Sequence, residues 1–365
     1  DNWQLCWLNP CVWALSDDFS NFRIFRSVGY MRLTWLVALS GVWTISWLCV
    51  RQYGKGLLGS LIWSVRRAYR PAVALILLVF SGIAYAAQPM VDNSNPDETA
   101  MLFYEVPYAE EVVCTGRTAE VFPDVNSGTL SGYAAYQFQN SSGQEQRVAF
   151  GINPGYTISN VQANGLDVPF SVSDYQEYNE AMLEVTIPAD KHVELTMEYG
   201  GFPQESANMS TMQGSTEISE EYLCLENATL SPRLMNVLPD ENMYPTTFEI
   251  TLPAFMTVIP FGNSNAQVVA EHENETKTWR YEGNSTGGIV YAGNYIREDV
   301  VVDGFTIEFY YGRKHQAVME AAGAVEAIKS VVDYCVEHYG YLSFGADNKL
   351  KLIQSRVSGG GYAAG

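Results

Sequence analysis

Two long stretches of the chain contain no charged residue, and they limit its possible folds more than any other feature. One runs for 18 residues from Leu33 to Val50, and the other for 20 residues from Pro71 to Met90. A helix of roughly 20 apolar residues crosses a hydrocarbon core about 30 Å thick. We therefore predict transmembrane helices at 33–50 and 71–88, within a membrane region of residues 1–90. Buried core helices are the alternative, which the absence of a polar face and the flanking tryptophan and basic residues disfavour.

The segment between the two stretches, residues 51–70, carries five basic residues and no acidic residue. Because positively charged loops stay in the cytoplasm, we expect this loop inside the cell and the chain after about residue 91 outside it. The predicted localisation is the cell membrane, multi-pass, with an extracytoplasmic C-terminal domain and the lipid bilayer as a partner. Arg23, Arg26 and Arg32 before the first helix oppose this orientation, but they are fewer than the basic residues of the loop.

Features at the two ends of the chain leave alternatives open. The apolar stretch 3–15 is too short to span, so it is either the end of an earlier helix or an interfacial segment. The small residues around Tyr85 resemble a signal-peptidase site, although the upstream span disfavours a cleaved signal. Since the chain begins with Asp rather than Met and ends in glycine-rich sequence, we expect it to be a fragment of a longer protein.

Charge is distributed unevenly along the chain. Residues 1–87 hold eight basic and three acidic residues, whereas residues 88–365 hold 13 basic and 38 acidic ones. Such an asymmetry between halves is a signal of membrane association. With a net charge of −20 overall, the chain lacks the basic face that nucleic acids require, and we expect no nucleic-acid partner.

The residues after the membrane region have the pattern of a β protein. A polar linker at 91–98 leads into segments that are rich in β-branched and aromatic residues and are separated by turn signals. They predict an extracytoplasmic, antiparallel β domain over 99–312, built as a sandwich or curved sheet. The predicted strands are 101–106, 133–140, 147–152, 156–162, 183–188, 193–200, 246–253, 255–263, 278–284, 287–295 and 305–312.

A helix and a strand are predicted to open an α+β domain over 313–365. The helix runs from His315 to His338 and ends before Gly340, a usual stop residue, and the strand covers 349–355. An apolar stripe along the helix contains Val318, Ala322, Val325, Ile328, Val332 and Cys335. Cys335 is therefore expected to be a core thiol, whereas the spacing of Cys114 and Cys224 leaves a disulfide between them open.

Short catalytic motifs are absent from the sequence. No two of the four histidines stand four residues apart, and the His-Glu that begins at His272 has Thr276 in the second histidine position. This segment is better explained as a solvated loop than as a zinc site. The chain also contains no Walker loop, dinucleotide fingerprint or Gly-x-Ser-x-Gly elbow, so we predict no metal ligand and no catalytic residue within it.

Three consecutive glycines, Gly359, Gly360 and Gly361, follow the last predicted strand. Glycines let a backbone approach a ligand closely and expose its N–H and C=O groups. A tight turn or a loose tail explains the same composition equally well.

Residues from about 130 to 365 resemble the front part of the aminopeptidase N-like zinc metallopeptidases, which are gluzincins related to leukotriene A4 hydrolase. The resemblance lies in the order of the matching pieces and not in one short motif. In that family a saddle-shaped β domain precedes a thermolysin-like catalytic domain. The pieces are YQFQN, VAFGINPGYTISNVQANG, LEVTIP, LTMEYGGFP, YPTTFEITLPAFMTVIPFGN, VVDYCVEHYGYLSFGADNKLKLIQS and GGGYAAG.

The resemblance implies a role for the glycine run. In the family an edge strand carries a Gly-x-Met-Glu-Asn motif, whose backbone cradles the substrate and whose Glu holds the free α-amine. This motif falls on residues 360–364, where the glycines are kept but Ala363 and Ala364 replace the Glu and the Asn. We therefore expect residues 359–362, which are Gly359, Gly360, Gly361 and Tyr362, to bind substrate. Trimming from a free N-terminus is in doubt, because an alanine cannot pair with an ammonium group.

Two functions follow from the resemblance. The first is a membrane-anchored metallopeptidase-like protein, in which this chain supplies the non-catalytic β domain and one wall of the substrate cleft. The family uses zinc, but its His-Glu-x-x-His motif would lie beyond the glycine run, so no zinc ligand is expected here. More weakly, the chain also resembles bacterial membrane proteins that join an ABC-type permease segment to an external peptidase-like domain. The alternative is therefore a non-catalytic extracellular peptide-binding or accessory module of such a permease, with a peptide and an ABC-type ATPase subunit as partners.

Overall fold

The computed structural model describes residues 22–48, 54, 56–67, 69–86, 109, 111–177, 180–203, 216–237, 244–262, 264–284, 288–302, 304–340 and 349–355. These residues form a helical unit and a β-rich unit, and each is described by itself. The predicted strand at 101–106 lies outside the described residues.

The helical unit contains three helices, α1 (Phe22–Leu48), α2 (Gly56–Arg66) and α3 (Tyr69–Ala86). Helices α1 and α3 overlap the two helices predicted at 33–50 and 71–88, and both begin earlier in the chain than predicted. Both are long and apolar enough to cross a membrane by length and composition. Helix α2 lies within the segment that the sequence analysis treated only as a charged loop.

Helix α1 packs on α3 through small and hydroxylated residues. A Cβ atom added to Gly41 would lie 2.9 Å from Leu78 Cδ2, so only glycine fits this contact without movement. The Ser81 hydroxyl donates a hydrogen bond of 3.2 Å to the carbonyl oxygen of Thr34. The two helices therefore approach closely at positions where large apolar side chains are absent.

The β-rich unit is built from short strands, many of which alternate between buried and exposed residues. Its described strands are β1 (Val112–Asp124), β2 (Thr129–Asn140), β3 (Gln146–Ile152), β4 (Tyr156–Ala163), β5 (Leu166–Asp167), β6 (Phe170–Glu177), β7 (Glu180–Ile187), β8 (His192–Gly201), β9 (Glu217–Ile218), β10 (Tyr222–Glu226), β11 (Arg233–Leu234), β12 (Pro245–Pro253), β13 (Thr257–Pro260), β14 (Gln267–Glu271), β15 (Thr276–Asn284), β16 (Ile289–Gly293), β17 (Tyr295–Val302), β18 (Phe305–Gly312) and β19 (Lys349–Ile353). Its described helices are α4 (Gln316–Ala321) and α5 (Ala324–Tyr339).

The strands form four sheets. Sheet 1 has the order β14-β15-β12-β1-β2-β8-β4-β5, and it is antiparallel except where β1 pairs with β12. Sheet 2 has the order β11-β3-β7-β6, and sheet 3 has the order β13-β16-β10-β9. Sheet 4 has the order β17-β18-β19, with β19 parallel to β18. The predicted mainly β architecture is thus present.

Sheets 1, 2 and 3 enclose the largest hydrophobic core. Sheet 1 contributes residues such as Tyr136, Leu195 and Ile250, sheet 2 contributes residues such as Leu183, and sheet 3 contributes residues such as Leu223. Every second residue of β1, β2 and β12 is buried over much of their length, as expected for strands with one face on a core and one in solvent. Sheet 1 is therefore one layer of a sandwich, and sheets 2 and 3 form the other.

Sheet 3 is buried on both faces. In β10, Leu223 and Leu225 face the core shared with sheet 1, whereas Tyr222 and Cys224 belong to a second cluster with Tyr310 of sheet 4. The sequence of a strand that is buried on both faces is a continuous apolar run without alternation. This explains why the segment Tyr222–Glu226 was not predicted as a strand.

The cysteines of the β-rich unit do not form the disulfide that the sequence left open. Cys114 and Cys224 are both buried, Cys335 is half-buried, and none of the three is in a disulfide. Burial raises the pKa of the Cys114 thiol to about 12, so this side chain stays protonated near neutral pH. Cys335 was predicted to be a core thiol, but its side chain is only half-buried.

The predicted helix from His315 to His338 is divided into α4 and α5. Gly323 between them has a φ of +61°. This left-handed conformation interrupts the helix, and α5 begins at the next residue, Ala324. Val325, Ile328 and Val332 of the predicted stripe pack on sheet 4, but Val318 is 63% exposed and Met319, which was not in the stripe, packs there instead. Helix α5 ends at Tyr339 before Gly340, which confirms the predicted stop.

Replacing Gly323 by alanine is expected to lower the free energy of unfolding of the β-rich unit by about 1–2 kcal/mol, because a Cβ atom is disfavoured in the left-handed region. Chemical denaturation of the full chain, followed by near-ultraviolet circular dichroism, measures this loss. Gly116→Ala is the matched control, since its φ is not left-handed and its added Cβ would meet only the Pro245 carbonyl at 3.9 Å. Equal losses for both variants would contradict the assignment.

Candidate functional site

The predicted substrate-binding residues Gly359, Gly360, Gly361 and Tyr362 lie outside the described residues. The strand that leads to them, β19, is described, together with Gln354 and Ser355 that follow it. The described part of the candidate site therefore consists of sheet 4 and the contacts that hold β19.

Strand β19 is one end of sheet 4 among the described residues. It pairs in parallel with β18 from Lys349 opposite Thr306 to Ile353 opposite Tyr310. Leu350 packs with the cluster beneath α5, whereas Ile353 packs with the cluster shared with sheet 3. Because side chains alternate along a strand, the side chain of Lys351 lies on the same face of β19 as that of Ile353, the face toward sheet 3.

The Lys351 ammonium connects β19 by hydrogen bonds to the end of β13 and to the loop that follows it. It donates one hydrogen bond of 2.8 Å to the Pro260 carbonyl and another to the Ser264 carbonyl. Burial lowers the pKa of Lys351 to about 8, an effect that the nearby Glu308 carboxylate partly opposes. A buried ammonium is costly unless it has partners, so these carbonyls fix the position of the side chain.

The end of β19 is fixed by hydrogen bonds around Gln354. The Tyr295 hydroxyl donates to the backbone carbonyl of Gln354 at 2.8 Å. The backbone N–H of Gln354 donates to the backbone carbonyl of Tyr310 at 2.8 Å. The Gln354 side-chain oxygen in turn accepts from the Gly312 amide at 2.9 Å. The chain thus leaves sheet 4 toward the glycine run from a defined point.

A charged network lies beside Lys351 on β17 and β18. The Arg297 guanidinium donates to both oxygens of Asp299, at 2.7 and 3.0 Å, and to Glu308 Oε1 at 2.8 Å. The Tyr310 hydroxyl donates to Glu308 Oε2 at 3.0 Å. Burial is the main cause that raises the pKa of Tyr310 to about 12, followed by the charge of Glu308. Since Glu308 is only 2% exposed, its carboxylate depends on these donors.

A partly open cavity of about 240 Å³ lies where sheets 1, 3 and 4 meet. Its lining includes Pro260, Trp279, Arg297, Tyr310 and Lys351. The Trp279 indole N–H is buried and has no hydrogen-bond partner among the described residues. The donors of Lys351, Arg297 and Trp279 make the lining of this cavity suitable for small polar molecules.

No group of three or more His, Cys, Asp or Glu side chains that could hold a metal ion occurs among the described residues. His272 is engaged by Thr278, with 2.8 Å between Nε2 and Oγ1. His315 Nδ1 lies 3.1 Å from the side-chain oxygen of Gln354, and the ring of His338 stacks on Tyr334. The described residues therefore do not fit a zinc ion of the type that the family uses.

Sequence reasoning missed two features of the β-rich unit. One is a groove of about 490 Å³ on sheet 1, lined by Glu120, Glu249 and His272 among others. In this groove Glu249 is paired with Arg280 through a hydrogen bond of 2.8 Å. The other is Arg117, which is 3% exposed and lies 4.9 Å from the centre of the Phe248 ring. An arginine on the buried face of a strand breaks the apolar pattern, which is a signal that could have indicated it.

No protein-family model and no curated protein sequence matches the chain. Similar solved structures are M1 zinc metallopeptidases. One from Deinococcus radiodurans is 17% identical with a TM-score of 0.40, and the match covers 57% of this chain and 48% of that one. A mutant of that enzyme with a bound Tyr-Ser-Ala substrate is 14% identical with a TM-score of 0.41, covering 67% and 56%. Yeast LTA4 hydrolase is 8% identical with a TM-score of 0.44, covering 67% and 38%.

The chain thus spans about half the length of the Deinococcus enzymes that it resembles, and less of the yeast enzyme. With TM-scores below 0.5 and identities below 20%, these similarities do not assign residues or chemistry to the chain.

Lys351→Met is expected to change the pH dependence of stability. In the folded chain the pKa of Lys351 is about 8, below its ordinary 10.5, so between these values the unfolded chain binds more protons. Stability supplied by the neutral amine therefore rises with pH through this window and is absent below it. The wild type should gain up to about 3 kcal/mol over Lys351→Met between pH 8 and 10.5.

Denaturant unfolding of both proteins at several pH values measures this difference. Lys349→Met is the matched control, because Lys349 lies on the same strand but is exposed, and its variant should follow the wild type. A constant difference between wild type and Lys351→Met from pH 7 to 10.5 would refute a buried amine with a lowered pKa.

Proposed function

We propose that this chain is the front part of a membrane-anchored metallopeptidase-like protein, supplying its non-catalytic β domain and one wall of a peptide-binding cleft. The observation that carries the proposal is the fixed end of β19, one end of sheet 4, followed closely in sequence by Gly359, Gly360 and Gly361. A glycine-rich segment that leaves an anchored strand can present backbone N–H and C=O groups to an extended peptide.

The cleft wall recognises peptide backbone and not a free N-terminus. The three glycines carry no side chain that would keep a ligand away, and Tyr362 offers a ring and a hydroxyl to the bound peptide. Position 363 is Ala363, where the resembling family has the Glu that holds the α-amine. Internal or N-terminally blocked peptide segments therefore suit this wall better than free N-termini.

Zinc chemistry is not supplied by this chain. Its sequence contains no His-Glu-x-x-His motif, and its described residues contain no cluster of metal-ligand type. If the complete protein hydrolyses peptides with zinc, the ligands come from residues outside these 365. The role of this chain is then to bind and orient the peptide.

The helical unit supports anchoring in a membrane, because its polar and apolar residues are arranged opposite to those of a water-soluble helix pair. Small or hydroxylated residues are buried between the helices, namely Thr34, Gly41, Ala74 and Ser81. Large apolar residues face outward, including Leu36, Trp43, Leu75 and Phe80. Exposed apolar area of this extent is stable when lipid and not water surrounds it. The positive segment 51–70 favours a cytoplasmic loop, which places the β-rich unit outside the cell.

A second candidate is a non-catalytic peptide-binding or accessory module of an ABC-type transporter permease. Ala363 and Ala364 favour it, because the residues that the family uses on the substrate amine are absent. Peptide binding without zinc or hydrolysis in the complete protein would decide for this candidate.

Replacing Tyr362 by the photocrosslinking residue p-benzoylphenylalanine is expected to yield ultraviolet-dependent crosslinks to an extended, N-acetylated peptide in detergent-solubilised protein. The same residue at Thr118, which is exposed on sheet 1, should yield none and serves as the control. Crosslinks of equal intensity at both positions, or none at Tyr362, would eliminate the cleft wall. Zinc analysis and peptide cleavage by the complete protein separate the enzyme from the non-catalytic module.

Epitope tags inserted at two glycine turns test the topology. Gly54 belongs to the loop between α1 and α2, and Gly143 to the exposed turn between β2 and β3. Antibody added to intact cells should bind the tag at Gly143 and should reach the tag at Gly54 only after permeabilisation. Binding at Gly54 in intact cells would reverse the proposed orientation.

A further inference from the structure

Helix α2 differs from the two long helices that flank it. It has 11 residues, Gly56–Arg66, and at 1.5 Å per residue it is roughly 16 Å long, about half of what a hydrocarbon core requires. It cannot cross a bilayer, yet it connects two helices that are each long enough to do so. Its position in the chain therefore places it at one surface of the membrane that the proposed function requires.

The two faces of α2 are inverted relative to a helix that packs on a protein core. Ser60 and Ser64 are 1% and 0% exposed, so the hydroxyl-bearing face is the buried one. Leu58, Ile62 and Val65 are 72%, 56% and 50% exposed on the opposite face. In water such a helix would turn its apolar face inward, so the outward face of α2 is suited to an apolar surrounding.

Basic and aromatic side chains gather where α2 meets α3. The Arg67 guanidinium lies 4.1 Å from the centre of the Trp63 ring. The Arg70 guanidinium lies 4.3 Å from the centre of the Trp47 ring and donates a hydrogen bond of 3.3 Å to Ser64 Oγ. Arg66 and Arg67 remain exposed. Tryptophan rings and arginines of this kind occupy the headgroup region, where the rings are half in lipid and the guanidinium groups contact phosphates.

We propose that α2 is an interfacial helix that lies along the membrane surface and binds anionic phospholipids. Leu58, Ile62 and Val65 enter the boundary of the acyl chains, and Arg66 and Arg67 contact lipid phosphates. The proposal rests on the membrane-spanning role of α1 and α3. The charge argues for lipid as the occupant, because residues 51–70 contain five basic residues and no acidic one, complementary to an anionic leaflet.

The depth of α2 can be measured in the full chain reconstituted into vesicles of phosphatidylcholine with about one-third phosphatidylglycerol. Single positions carry a nitroxide on a genetically encoded keto amino acid, which leaves the native cysteines unlabelled. Labels at Leu58 and Ile62 should be accessible to oxygen and protected from a water-soluble nickel complex, whereas a label at Gly54 should show the reverse. Labels at Val42 and Leu75, which are exposed on α1 and α3, report on the spans.

The outcomes separate this proposal from the proposed function. If Val42 and Leu75 are protected but Leu58 and Ile62 are open to the nickel complex, the spans stand and the interfacial helix is refuted. The apolar face then remains for a protein partner such as an ATPase subunit. If all four labels are open to the nickel complex, membrane anchoring fails and the interfacial helix fails with it.

The lipid charge is tested with the double variant Arg66→Gln and Arg67→Gln. In the wild type, the label at Ile62 should lie deeper in vesicles that contain phosphatidylglycerol than in pure phosphatidylcholine, and the double variant should lose this difference. Arg313→Gln with Lys329→Gln is the control, because it removes the same charge from exposed positions of the β-rich unit. A double variant that behaves like the wild type would refute recognition of anionic lipid by these two arginines.

Discussion

The parallel pairing of β1 with β12 is the constraint on which the rest of the β-rich unit depends. It aligns Arg117 through Val121 with Thr246 through Ile250, and so joins two distant chain segments into one sheet. Strand β12 then leads through a short turn into β13, which belongs to the opposite layer. The last residue of β13, Pro260, and Ser264 in the following loop supply the carbonyls that accept hydrogen bonds from Lys351. The position of β19 therefore follows from a pairing made more than a hundred residues earlier in the chain.

The two units of the chain bury different kinds of residue. In the β-rich unit, apolar side chains fill the layers between sheets, and charged residues such as Glu194 and Glu198 lie on the outer face of sheet 1. In the helical unit, serine, threonine and glycine lie between helices while leucine and phenylalanine face outward. In the β-rich unit this arrangement follows from the hydrophobic effect, whereas helices in lipid would pack through small residues and interhelical hydrogen bonds. The proposed membrane anchoring rests on this contrast together with the hydropathy of the two long helices.

The sequence predicted several strands that have one face buried and the other exposed, although it missed β1, which alternates in the same way. Strands β2, β8 and β12 were found by their alternation. Strand β10 was missed because both of its faces are buried, and most of β17 was missed because Arg297, Glu298 and Asp299 interrupt its apolar residues. The break at Gly323 was missed because an internal glycine is compatible with a helix until its φ is known. The cavity beside Lys351 was not predictable, since its lining comes from strands separated by about ninety residues and no local spacing connects them.

The contacts of β19 determine which part of a cleft this chain can control. Lys351 and Ile353 bind or pack against sheet 3, and Gln354 is held by Tyr295, Tyr310 and Gly312 of sheet 4. The last described residues before the glycine run are therefore held by contacts within the β-rich unit. A peptide bound by the glycine run would be oriented by the β-rich unit, whatever group acts on the peptide. In the cleft wall that we propose, Ala363 carries no carboxylate that would select a free amine, so specificity there would rest on backbone hydrogen bonds and on the ring of Tyr362, which would favour an extended conformation over a particular terminus.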